Sequence, residues 1–142
     1  MKAKLFYEIG GLEIIQKVHE VFYDKVYAHE WLKKYFENHN RLLIENQQTA
    51  FMSEKFGSKV SYVGRPPRYA HLHMFITDEL FEVRHALLKE ALIEVGLRQD
   101  HIARWLNIDA AFKHHITNDS LELFNVTHTF HKKINIPKPD FL

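Results

Sequence analysis

The chain has 142 residues, a formal net charge of +1 and no cysteine. This length suits one domain with a single core, and the lack of cysteine excludes disulfides, thiolate zinc sites, iron–sulfur clusters and cysteine nucleophiles. A net charge this close to zero gives no reason to expect a nucleic-acid or membrane partner.

The amino terminus lacks the apolar stretch of a secretory signal. No run of the sequence approaches the roughly 20 apolar residues that a membrane-spanning helix needs. The simplest expectation is a soluble cytoplasmic protein.

The first third of the chain has the pattern of helices. After Gly10-Gly11, apolar residues recur at helical spacing and predict a helix of about four turns. These residues are Ile15, Val18, Phe22 and Val26. A shorter apolar cluster follows at Trp31, Leu32, Tyr35 and Phe36.

A second stripe predicts a helix from about Arg41 to Phe56. Its residues are Ile44, Gln48, Phe51 and Met52. Gly57 is expected to end this helix, because glycine commonly follows a last helical turn. From there to about Arg68 the composition, with Gly64 and Pro66-Pro67, predicts a loop. A short apolar piece, Tyr69 to Phe75, comes next.

Two further helices are predicted in the second half. Thr77 has the position of an N-cap, followed by acidic residues in the first turn, and Gly96 is expected to end the helix. Asp100 is expected to cap a last core helix. The apolar residues of that helix are Ile102, Trp105, Leu106 and Phe112.

Beyond about Asn118 the pattern weakens, and Pro137 and Pro139 exclude a helix at the end. This tail is interpreted as an appendage that lies on the domain. Strand signals are poor along the whole chain, so the predicted fold class is all-α.

Most catalytic patterns are missing from the sequence. It contains no phosphate-binding glycine loop, no nucleophile elbow and no His-Glu-x-x-His motif. The close histidine pairs, His71 with His73 and His114 with His115, do not place both rings on one helix face. They therefore do not by themselves predict a non-haem metal site.

Taken singly, the remaining polar residues have plain structural interpretations. His71 in its apolar piece is compatible with a core histidine, and Gln48 with an edge position. Tyr23 is compatible with an aromatic residue whose hydroxyl reaches water.

Taken together, the same residues meet the needs of an iron porphyrin. That group requires an imidazole ligand, an apolar slot and cations near its propionates. His71 offers the ligand, the apolar helices offer the slot, and the cations are offered by Lys55, Arg65 and Arg68. Two hydrogen-bond donors are offered by Tyr23 and Gln48. Composition and spacing permit this assembly without demonstrating it.

Three motifs follow one another in the middle of the chain, Phe56-Gly57-Ser58, then Tyr62-Val63-Gly64, then Ala70-His71. They resemble the Phe-Gly-Gly, Tyr-x-Gly and Ala-His motifs of the truncated haemoglobin family, and the pairing of Tyr23 with Gln48 looks most like the first subgroup of that family. The family's opening Gly-Gly, its Phe-Tyr pair, its Phe-Phe pair and its distal-helix segment also have counterparts. These are Gly10-Gly11, Phe22-Tyr23, Tyr35-Phe36 and the segment 47–51. The resemblance covers about residues 5 to 115.

The resemblance implies a globin-like, two-over-two helical sandwich that encloses one haem. It makes residues 1–118 the globin domain and 119–142 a carboxyl-terminal extension of unknown role. His71 would be the proximal iron ligand, Tyr23 and Gln48 the distal hydrogen-bond donors, and Phe36 would stack on the porphyrin. The other residues expected at the haem are Ile44, Gln47, Phe51, Lys55, Tyr62, Arg68 and Phe81.

The chain departs from the family pattern at three positions. Ser58 replaces the second glycine of Phe-Gly-Gly, and Gln47 stands where some relatives carry a histidine that becomes a sixth iron ligand. The alignment also puts Arg84 where the family usually keeps a residue that lines the haem pocket. An unpaired buried guanidinium is costly, so Arg84 must swing out, reach a propionate, or pair with an anion or ligand. Some relatives attach haem through a histidine on the last helix, but His114 and His115 are interpreted as solvated.

The implied function is binding of dioxygen, nitric oxide or carbon monoxide opposite His71, for storage, delivery or sensing. A second hypothesis is a haem enzyme, a nitric oxide dioxygenase or a peroxidase, which would need an electron-donating reductase as partner. A third is a haem-free helical interaction module, for which the apolar residues of the tail argue.

Overall fold

The computed structural model describes residues 4–59, 74–118, 120–122, 124 and 134–142. Within these ranges the regular structure is helical, and the β pairing consists of an isolated parallel bridge between Met74 and Ile134. The helices are α1 (Lys4–Ile9), α2 (Gly11–Ala28), α3 (Lys33–Phe36), α4 (Arg41–Lys55), α5 (Asp78–Val95), α6 (Gln99–Ala110) and α7 (Lys113–Ile116). The predicted all-α class is confirmed.

Capping residues set the bounds of α4 and α5. In α5, the Thr77 hydroxyl accepts a hydrogen bond from the Leu80 amide at 3.1 Å, as the sequence predicted. The same helix ends at Gly96, whose φ of 93° is left-handed and suits glycine. α4 ends in the same way before Gly57, also at φ 93°.

The predicted cap of α6 is wrong. Arg98 is the N-cap residue of this helix and Asp100 lies inside its first turn. The Asp100 carboxylate accepts hydrogen bonds from the Arg98 side chain at 3.0 and 2.6 Å. The carboxylate is therefore engaged by the guanidinium of the N-cap residue. The helix also ends at Ala110, so Phe112 lies beyond it.

Two helix pairs form the body of the fold. α2 packs against α4, α5 packs against α6, and α2 also packs against α5, which joins the two layers. The predicted stripe of α2 faces this junction, and Ile15, Val18, Phe22 and Val26 are all buried. Each such side chain contributes about 1.5–3 kcal/mol on burial, so the stripe fixes the orientation of α2.

Ring contacts and a buried hydrogen bond join α2, α4 and α6 on one side of the core. The Trp105 ring of α6 meets Phe56 edge-on, with ring centroids 5.0 Å apart, and meets His19 at 5.6 Å. His19 Nδ1 and Thr49 Oγ1 are hydrogen-bonded at 2.8 Å between α2 and α4. Among the described residues, the Ser53 hydroxyl is buried without a hydrogen-bond partner.

The described part of the tail returns to the helical body. The Phe75 amide donates to the Ile134 carbonyl at 2.8 Å, beside the bridge at Met74. The indole of Trp31 donates to the Ile136 carbonyl at 2.7 Å, and the Ile136 amide donates to the Tyr35 hydroxyl at 3.1 Å. These contacts hold residues 134–136 against α3 and its preceding turn.

Among the helices of the described residues, none combines the length and the apolarity that crossing a membrane requires.

Candidate functional site

An apolar cleft lies between α3, the start of α5 and the segment that precedes α5. About 400 Å³ of its space is unfilled by protein atoms, and part of this space is open to solvent. Its apolar lining includes Leu32, Phe36, Met74, Ile76, Phe81 and Ile116. Tyr35 and Arg84 also line it. The cleft is therefore an aromatic and aliphatic slot with a guanidinium in its wall.

Two of the residues expected at the haem, Phe36 and Phe81, lie in this lining. Tyr23 is buried directly behind Phe36, and its ring meets the Phe36 ring edge-on with centroids 5.9 Å apart. The structure thus brings one predicted distal donor into contact with the predicted stacking residue. Burial raises the pKa of the Tyr23 hydroxyl, so this group keeps its proton and can donate a hydrogen bond.

Arg84 is held by an aspartate from the facing helix. Its Nη1 donates to both carboxylate oxygens of Asp109, each at 2.8 Å. Asp109 Oδ2 also lies 2.7 Å from Nδ1 of His85. Because an ionised carboxylate only accepts, both neighbours donate to Asp109. Of the outcomes expected for Arg84, the structure shows pairing with an anion, and the anion belongs to the protein.

The guanidinium also lies against two aromatic faces. Its central carbon is 5.5 Å from the Phe22 ring centroid and 5.8 Å from that of Phe81, within cation–π range. Burial alone would lower the pKa of Arg84, but the Asp109 carboxylate raises it above its usual value. Burial would likewise raise the pKa of Asp109, but Arg84 and His85 hold it below its usual value. Both groups of this pair are therefore charged.

His19 is a second buried polar side chain of the core. Burial, helped by the nearby positive charge of Arg84, lowers the pKa of His19 to about 3. Its imidazole is therefore neutral at neutral pH, bonded to Thr49 and packed on Trp105.

The predicted site residues on α4 are more dispersed. Ile44 packs against the core, Gln48 is half-buried and Gln47 is exposed. Among the described hydrogen bonds, none is made by either glutamine side chain. Phe51 is buried, and the exposed Lys55 places its ammonium 5.3 Å from the Phe51 ring centroid. These residues do not line the cleft as described.

Four predicted residues, Tyr62, Arg65, Arg68 and His71, lie outside the described residues. His114 and His115 are both exposed on α7. In the described part of the chain, no cluster of histidine and acidic side chains has the composition of a metal site.

Comparison with known families decides the class of this fold. The family model described as bacterial-like globin matches residues 4–118. The chain belongs to the bacterial-like globin family. Its two-over-two arrangement of helix pairs is the one predicted from the sequence.

Individual relatives agree with this assignment. The chain is 29% identical to the group 1 truncated hemoglobin LI410 of Chlamydomonas moewusii, over 80% of this chain and 68% of that protein. It is 29% identical to the group 1 truncated hemoglobin GlbN of Mycolicibacterium paratuberculosis, over 73% of this chain and 76% of that protein. These matches confirm the predicted resemblance to the first subgroup.

A solved structure supports the fold. The 2/2 hemoglobin of a Synechococcus species, determined with covalently attached haem, superposes with a TM-score of 0.73 at 29% identity. The alignment covers 78% of this chain and 94% of that one. The predicted cofactor, haem, is confirmed for the family to which this globin belongs.

The described cleft fits a porphyrin in its chemistry. Phe36 and Phe81 supply aromatic surface for the faces of a planar ring, and the aliphatic side chains supply an apolar slot. His71, the residue expected to ligate the iron, lies outside the described residues. The unusual part of the lining is Arg84, since a charged wall is not needed to hold an apolar ring.

Sequence reasoning missed two residues that lie behind this wall and form the polar cluster with Arg84, namely Asp109 and His85. A signal for Asp109 was present, because it lies four residues after Trp105 on the apolar face of α6. A carboxylate on a core-facing position requires a cationic or donating partner. No comparable signal marks His85, whose role follows only from the contact with Asp109.

Proposed function

We propose that this globin binds dioxygen, or another diatomic ligand such as nitric oxide or carbon monoxide, in the cleft bounded by Phe36, Phe81 and Arg84. The observation that carries the proposal is that slot, in a chain whose family is that of the globins. Haem, when bound, supplies an iron atom that takes up the gas. Storage, delivery or sensing needs nothing beyond this binding.

His71 is proposed as the iron ligand. Met74 lines the cleft and lies three residues after His71, and three residues span at most about 11 Å. The chain length between the two residues therefore allows the imidazole to reach this cleft. An apolar surrounding favours the neutral, ligating form of an imidazole.

Tyr23 and Gln48 are proposed as the donors to the bound gas. Tyr23 is buried and keeps its proton, and its ring lies edge-on against Phe36, which lines the cleft. Gln48 is half-buried on the helix packed against α2. The proposal also includes the other residues expected to contact haem, which are Ile44, Gln47, Phe51, Lys55, Tyr62 and Arg68.

Residues 1–118 are proposed as the globin domain and 119–142 as an extension. The contacts of Trp31 and Tyr35 with Ile136 support a tail that packs on α3 near the cleft. A cytoplasmic location and an electron-donating reductase are proposed with the haem function.

The test is a spectral titration of the purified chain with ferric haem, followed by reduction and addition of carbon monoxide. We expect one haem per chain, an intense Soret band, and a shift of that band with carbon monoxide. A chain that stays colourless with excess haem would contradict the proposal and favour a haem-free interaction module.

Turnover is the alternative to reversible binding. Adding nitric oxide or peroxide, with a reducing system, to the oxygenated protein separates the two. Sustained consumption of nitric oxide or peroxide would identify a dioxygenase or peroxidase, and a single stoichiometric reaction would support a binding protein.

A further inference from the structure

Arg84 places a permanent positive charge in the wall of an otherwise apolar cleft. The other described lining residues are apolar or, in the case of Tyr35, uncharged. The Arg84 side chain is 21% exposed, whereas Asp109 is 6% exposed and does not line the cleft. The Arg84 guanidinium therefore faces the cleft, and the Asp109 carboxylate lies behind it on α6.

The guanidinium uses only part of its bonding capacity in holding Asp109. Nη1 makes both hydrogen bonds to that carboxylate. Within the described part of the chain, Nε and Nη2 have no hydrogen-bond partner. A guanidinium carries five N–H donors, so donors remain for a further acceptor.

The rings around Arg84 hold it in this orientation. Phe22 and Phe81 lie 5.5 and 5.8 Å from its central carbon, and His85 stacks on Phe81 while bonding Asp109. A charge fixed in a low-dielectric wall acts on a neighbouring ion much more strongly than a solvated one does.

We infer that Arg84, positioned by Asp109, is a specificity-determining residue that makes this cleft favour small anionic ligands over neutral ones. The ligands concerned are small anions that bind ferric haem, such as fluoride, azide or nitrite. This inference rests on the proposed haem function, because the anion would bind where the gas is proposed to bind. It does not depend on which gas is physiological.

The experiment measures ligand affinity, not turnover. Ferric haem-loaded protein is titrated with fluoride, an anion, and with imidazole, a neutral ligand, and each dissociation constant is read from the absorption spectrum. The variant Arg84→Gln/Asp109→Asn replaces the ion pair by two amides of similar shape. The matched control, Arg98→Gln/Asp100→Asn, makes the same changes in an exposed pair.

We expect the cleft variant to bind fluoride roughly 10- to 100-fold more weakly, the range for losing a hydrogen bond to a charged group. Imidazole affinity should change by much less, and the control should match the wild type for both ligands. Equal changes for fluoride and imidazole, or no change for either, would overturn the inference. Loss of haem affinity with an unchanged fluoride-to-imidazole ratio would also overturn it and assign Arg84 to a propionate.

Arg84→Lys is the second variant, since it keeps both charges and the fold. A lysine ammonium is a point charge drawn to Asp109, so we expect fluoride affinity to fall here too, while imidazole affinity holds. An unchanged fluoride-to-imidazole ratio in this folded variant would overturn the inference. A wild-type protein that binds no haem would instead contradict the proposed function, so the two failures are distinguishable.

Discussion

Arg84 and Arg98 both hold an aspartate through two short hydrogen bonds, but they do so in different regions. Arg98 uses two nitrogens, Nε and Nη2, in a fork closed on Asp100 at the exposed start of α6. Arg84 uses Nη1 alone for Asp109 and lies in the wall of the cleft. Each guanidinium keeps further N–H donors, but those of Arg98 belong to a side chain that is 71% exposed, whereas those of Arg84 lie in the wall of the cleft.

The two pairs also differ in how much stability is lost when one partner is removed. Water and salt can replace either partner of the exposed pair. The partners of the buried pair have already lost their hydration, so each depends on the other. Similar distances therefore describe two different kinds of interaction, and only the buried one bears on the function of the cleft.

The largest expected effect comes from removing one charge of the buried pair. Arg84→Met leaves the Asp109 carboxylate buried with only His85 beside it, and should lower the free energy of unfolding by about 3–5 kcal/mol. Urea denaturation measures this loss. Arg98→Met should change stability little, and similar losses in the two variants would break the comparison.

The next effect extends the comparison to histidines. His19 has a pKa of about 3 in the fold and 6.5 when solvated, so the unfolded chain binds the proton more readily. The neutral His19 side chain therefore contributes to the free energy of unfolding at high pH, and this contribution is lost as the pH falls below 6.5. Between pH 8 and pH 5 the loss should be about 2 kcal/mol.

The control for this pH dependence is a matched pair of histidine variants. His19→Gln should flatten the fall in unfolding free energy between pH 8 and pH 5, measured by urea denaturation at each pH. His39→Gln changes an exposed histidine and should leave the fall unchanged. An equally steep fall in His19→Gln would show that His19 is not the group responsible.

A third contrast is between buried and exposed tyrosines. Tyr23→Phe removes the proposed donor and should raise the dissociation rate of dioxygen by about tenfold or more. The dissociation rate of carbon monoxide should rise less, because this ligand carries less charge when bound. Tyr7→Phe, at a position 70% exposed, is the control for flash photolysis or stopped-flow measurement. Equal small changes for both gases would argue against a donating Tyr23.

The smallest expected effect is the loss of a neutral hydrogen bond. Trp31→Phe removes the bond from the indole to the Ile136 carbonyl and should destabilise the fold by about 1 kcal/mol. Limited proteolysis should then cut the tail near residues 134–142 faster than in the wild type. An unchanged cleavage rate would show that the tail is held by other contacts.

These contrasts also show what the sequence could predict. Thr77 and Gly96 were predicted correctly as the cap residues of α5, because capping depends on residues a few positions apart. Asp100 was misassigned as a cap, because its carboxylate had a stronger local partner in Arg98. The bond between Arg84 and Asp109 joins residues 25 positions apart, and no local pattern specifies such a pair.

The residues of the candidate site also fall into those that the sequence predicted and those that it did not. Phe36 and Phe81 were predicted from family motifs, and both line the cleft. Arg84 was recognised as anomalous, but its partner was not, since that depends on how α6 packs against α5. The positions of Tyr62, Arg68 and His71 stay predictions from the motif.

The most direct test of the account concerns the bond between His71 and iron. Resonance Raman spectra of the ferrous protein, prepared with two iron isotopes, identify the iron–imidazole stretching band by its isotope shift. We expect the band in the wild type, its loss in His71→Ala, and its return when free imidazole is added. The same isotope-sensitive band in His71→Ala without imidazole would show that another residue ligates the iron.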